Sequence, residues 1–103
     1  MPLLSTNAPA PQDNLTVSTT AVSLTVPDHG VTHALIYVGG APIRFKANGS
    51  APTATAGMYL AAGNYIDWTD PNRDYSAMIN NLQLIRDTTA AGDATVEIAY
   101  FKS

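Results

Sequence analysis

The chain contains no cysteine, which removes disulfides, thiolate metal ligation, iron–sulfur clusters and thiol nucleophiles in one step. The fold must therefore stand on packing or on assembly. Charge is scarce too: charged residues make up 13% of the chain, about half of the ~25% usual in soluble proteins. Five basic residues face eight acidic ones, for a net charge of −3, whereas a nucleic-acid partner calls for clustered Lys and Arg. Long apolar runs are missing as well. The longest, Ala34 to Ile43, is broken by Gly39, Gly40 and Pro42, and Met1-Pro2-Leu3-Leu4-Ser5 carries no basic segment. Neither a signal peptide nor a membrane span is read from this pattern.

What fills the space is small and uncharged, chiefly Ala and Thr, within an ordinary hydrophobic content of 46%. A folded chain so poor in Lys, Arg, Asp and Glu is expected to spend much of its surface on contacts with other proteins. At 103 residues one modest core is the expectation and two are excluded.

Pro2, Pro9 and Pro11 rule out a helix or a central strand at the start, because each lacks an amide donor. Residues 1–14 read as an extended arm, either a frayed terminus or a segment ordered against a neighbouring subunit with Leu3 and Leu4 as an apolar hook, and residues 15–103 as the domain. From there the signal is β. Val22-Ser23-Leu24-Thr25-Val26 alternates apolar residues with hydroxyls, as a half-buried strand does. Ala34-Leu35-Ile36-Tyr37-Val38 is continuous and reads as a central strand covered on both faces. Ile43 and Phe45 point inward, and Asn48-Gly49 marks a turn before the small-residue loop that ends at Gly57. Met58–Leu60 and Tyr65–Trp68 read as a hairpin about Ala61–Asn64. Tyr75 to Asn80 alone has helical potential. Asn81–Arg86 and Ala94–Phe101 close the chain, with Val96, Ile98 and Tyr100 sharing one face. This spacing predicts an all-β fold, a small antiparallel β-sandwich or jelly-roll-like barrel of about seven or eight short strands with an extended N-terminal arm.

No residue set carries chemistry. His29 and His33 beside Asp28 lack a third ligand at a diagnostic spacing. Asp70-Pro71-Asn72-Arg73-Asp74 places oxygens at alternate positions, as calcium loops do, but without the glycine and distal glutamate such loops use. Asp67, Asp87 and Glu97 supply acids for a glycosidase pair and have no flanking motif. No serine sits in a Gly-x-Ser-x-Gly elbow. The expectation is therefore a non-enzyme with no catalytic residue, metal or cofactor. Tyr59, Tyr65, Trp68 and Tyr75 fall in one third of the chain, which suits core, a protein interface or a sugar platform.

The segment Ala41 to Gly63 (Ile43-Arg44-Phe45-Lys46, Asn48-Gly49, Pro52-Thr53-Ala54-Thr55, Gly57, then Leu60-Ala61-Ala62-Gly63) resembles small virion structural proteins of tailed bacteriophages. Leu82-Gln83-Leu84-Ile85-Arg86 and Asp93 to Tyr100 look like that group's closing hairpin. The resemblance implies a capsid decoration, or cement, protein: a β-sandwich on the capsid surface, made in the host cytoplasm and assembled on the virion. Its implied partners are the major capsid protein and itself, as a dimer or trimer, with no nucleic acid and no membrane. Partner-binding residues expected on this reading are Leu3 and Leu4 in the arm, Asn48, Pro52 and Thr53 in the loop, and the aromatics Tyr59, Trp68 and Tyr75. A head–tail connector or tail-ring subunit, and a carbohydrate-binding β-sandwich module, are the alternatives.

Overall fold

The computed structural model describes residues 12–26 and 30–102. Eight strands and one short helix follow in the order β1 (Gln12–Val17), β2 (Val22–Ser23), β3 (Val31–Gly39), β4 (Ile43–Lys46), β5 (Met58–Leu60), β6 (Tyr65–Trp68), α1 (Ser76–Asn81), β7 (Gln83–Arg86) and β8 (Ala94–Lys102). They form two four-stranded antiparallel sheets, β1-β8-β3-β6 and β2-β7-β4-β5. Chain neighbours β1 and β2, β3 and β4, β5 and β6, and β7 and β8 each lie in opposite sheets. That strand order is the jelly-roll form of the sandwich.

Strand alternation builds the core. Ala34, Ile36 and Val38 of β3 meet Val96, Ile98 and Tyr100 of β8 from the first sheet, and Ile43, Phe45 and Leu84 come from the second. All are buried, and Val17, Ile79 and Leu82 close the cluster. Thr95 and Glu97 face out, as their parity in β8 requires. The helix is one and a half turns long and is held by Ile79 in the core, since six residues cannot sustain a helix alone.

Four expectations change. The strand at the N-terminus begins at Gln12, paired with Ala99, so Gln12–Asn14 belong to the sheet rather than the arm. In the stretch Val22–Val26 only Val22 and Ser23 form a ladder, with Leu84 and Gln83. β5 does not pair with β6, nor β7 with β8; a Gly-containing turn serves a sandwich corner as well as a hairpin, and here each turn carries the chain across the core. Finally, β3 is central but buried on one face only: Leu35 and Tyr37 are half-exposed.

Candidate interaction surface

The pairing registers place Asn14, Glu97, Tyr37 and Tyr65 in one line across all four strands of the first sheet, on its outer face. The next line on that face carries Ala99, Leu35 and Asp67. All of these but Asp67 line an open groove of about 440 Å³, whose residues include Asn14, Leu35, Tyr37, Tyr65, Glu97 and Ala99. The Tyr37 and Tyr65 rings lie 5.2 Å apart between centroids and are tilted 56° to each other as a wedge, with Tyr65 56% exposed. Gly39 makes room for it: a Cβ there would lie 3.2 Å from the Tyr37 ring edge.

The outer face of the second sheet is partly covered: in the line Ile85-Arg44-Tyr59, Ile85 is buried and Tyr59 is 51% exposed. After Asn48-Gly49 the chain folds back as a strap over residues 50–57, held by Thr88 N–H donating to the Ala54 carbonyl (3.0 Å) and by Arg44 Nη1 donating to the Gly57 carbonyl (3.0 Å). Arg44 also donates from Nε to Asp87 Oδ1 (2.7 Å), and its guanidinium lies 5.5 Å from the Tyr59 ring centre. Asp87 is buried and accepts from the Thr89 amide (2.9 Å) and hydroxyl (2.5 Å) at Oδ2. These Thr89 bonds, with Arg44 beyond them, lower the Asp87 pKa from 3.8 to about 2. Gly57, at φ +126°, passes so close that a Cβ would sit 3.1 Å from the Phe45 carbonyl oxygen and from the Pro52 side chain. Ile85, opposite Arg44 in the ladder, is buried here and not in the main core. A smaller cavity of about 190 Å³, lined by Thr19, Ala54 and Asp87 among others, lies beside the strap.

The residues expected to bind a partner scatter. Leu3 and Leu4 lie outside the described residues, as do Asp28 and His29. Asn48 and Thr53 are exposed on the strap loop, whereas Pro52 is buried under it. Tyr59 is 51% exposed on the edge strand β5. Trp68 is half-buried and stacks on the buried Tyr75 ring, 6.1 Å and 12° away. The four clustered aromatics therefore do not form one platform: Tyr59 stands on one sheet and Tyr65 on the other.

His33 is buried, donating from Nε2 to the Asp70 carbonyl (2.8 Å) and accepting at Nδ1 from the Thr32 hydroxyl (2.6 Å). Both ring nitrogens are thus taken up inside the fold. In the 70–74 loop the carboxylates turn onto the backbone, Asp70 accepting from the Asn72 amide and Asp74 from the Ser76 amide; the latter bonds lower the Asp74 pKa. Among the described residues, no three His, Asp or Glu side chains gather as metal ligands. Asp67 shares a short hydrogen bond with the Thr69 hydroxyl, so of the three candidate acids Asp87 is locked in an ion pair while Asp67 and Glu97 stand on the open face.

No family model, curated protein or solved structure matches the chain.

Sequence reading missed Tyr37, Glu97 and Asn14 as a set, since each falls in a different strand and only the register aligns them. The Arg44–Asp87 pair, 43 positions apart, was equally out of reach.

Proposed function

We propose that this protein is a structural virion protein that decorates and stabilises a bacteriophage capsid by binding between major capsid protein subunits. The observation that carries the interaction role is the bare outer face of the first sheet. It is a four-stranded surface with two tyrosines, Leu35 and Ala99 at its centre, on a sandwich whose opposite face is partly covered by residues 50–57. Low charge supports the same reading, and the sequence resemblance supplies the capsid. Cementing works by burying roughly 800 Å² per partner and repeating that contact over many symmetric copies, so that avidity multiplies a modest single affinity. Residues 1–11, with Leu3 and Leu4, reach on this reading to a neighbouring subunit.

The test is to add the purified protein to expanded capsids that lack it and to image the particles. Density repeated at capsomer junctions over the whole shell is the expected result. A single ring at one vertex would replace the reading with a connector or tail-ring subunit, and no bound density would overturn it. Deleting residues 1–10 is expected to weaken binding while leaving the thermal transition in place.

A further inference from the structure

We propose that the groove between Glu97 and the Tyr37–Tyr65 wedge seats a cationic side chain, an arginine or lysine, presented by a partner protein. This deepens the interaction role proposed above by naming what the bare face recognises.

Three observations lead there. The charge on this face has one sign: its described residues include Glu97 and Asp67 and no lysine or arginine. Glu97 is exposed, and the ion pairs found among the described residues, Arg44–Asp87, Arg73–Asp70 and Arg86–Asp93, leave it out. Beside this carboxylate, in the same cross-strand line, stand two tilted phenol rings. A ring face attracts a cation through its quadrupole, a guanidinium more often than an ammonium, and a carboxylate at the same site adds a charge-assisted hydrogen bond.

The same chain already shows the combination in miniature on its other face, where Arg44 lies over Tyr59 and reaches Asp87. There the cation is internal; on the first sheet the aromatic and the acid are present and the cation is missing. Residues 1–11 contain no Lys or Arg, so none of those eleven side chains is the cation. The groove is open and lined in part by the small residue Ala99, which leaves room for an extended segment to pass while one side chain reaches down.

The experiment is an NMR titration of the full chain with N-acetyl-arginine amide, using N-acetyl-citrulline amide as the neutral isostere. The expected result is a shift of the Tyr37, Tyr65 and Glu97 signals, with citrulline binding about tenfold more weakly. Glu97→Gln is expected to bring arginine down to the citrulline level, and Tyr65→Leu to weaken it while keeping the apolar bulk. Equal binding of the two amides would overturn the proposal in favour of a neutral hydrogen-bonding ligand such as a saccharide. Shifts confined to another surface, or an unaltered affinity in Glu97→Gln, would overturn it too. If the same signals broaden with protein concentration alone, and Arg73→Gln abolishes this, the partner is a second copy and the assignment to a different protein falls. Because no particle enters the titration, its failure is distinct from a failure to decorate capsids.

Discussion

The two outer faces of this sandwich are built from the same kind of strand and end up opposite in character. On the second sheet Ile85 is buried, and Arg44, Asp87 and Thr89 fasten a strap of small residues at Gly57. On the first sheet the corresponding positions, Leu35 and Tyr37, stay half-exposed beside Glu97. The difference teaches that a sheet face is finished by what crosses it. The face with a strap buries Ile85, and the face without one leaves Leu35 and Tyr37 half-exposed.

The largest effect that would test this contrast comes from truncating an aliphatic side chain on each face. Ile85→Ala, buried on the strap-bearing face, is expected to cost about 2–4 kcal/mol, whereas Leu35→Ala on the open face is expected to cost about half as much; paired urea melts read both. Equal losses would mean that the strap adds no burial. Next comes Gly57→Ala, which forces a side chain into a positive-φ site 3.1 Å from backbone and Pro52 and is expected to cost about 1–3 kcal/mol.

A third difference lies in acid. Because the Asp87 carboxyl is lowered from 3.8 to about 2 in the folded protein, its contribution is fully present above pH 3.8 and is lost as pH falls through about 2. Asp74 shifts in the same direction. Proteolysis of the strap between pH 4 and pH 2 by an acid protease is expected to accelerate. In Asp87→Asn that pH dependence should shrink; a variant with the wild-type profile would show that another group fastens the strap. The smallest stability effect is expected for Tyr65→Ala, within about 0.5 kcal/mol by thermal melt, since the ring is mostly in solvent. A large loss there would mean the open face also supports the fold.

Much of the core was legible because alternation is a local property. Val96, Ile98 and Tyr100 inward against Thr95 and Glu97 outward, Ile43 and Phe45 inward, and the turns at Gly40 and Gly49, both at positive φ, follow from a two-residue period and from glycine's freedom. Tyr75–Asn80 was the one stretch with some helical potential, and the helix lies at Ser76–Asn81. The candidate surface was not legible in the same way. The clustered aromatics Tyr59, Tyr65, Trp68 and Tyr75 suggested one platform, yet the crossing between β5 and β6 puts Tyr59 and Tyr65 on different sheets. Pro52 read as a contact residue of an open loop, and it is buried because the loop folds back.

By itself the sequence determined the β class, the inward residues of most strands and the absence of thiol chemistry, because side-chain parity and composition act within a few residues. Only the tertiary structure decided which strands became neighbours. The line from Asn14 through Glu97 and Tyr37 to Tyr65 joins β1, β8, β3 and β6, and no local signal specifies such a line. It arises when two sheets close over one core and each strand takes the edge left free for it.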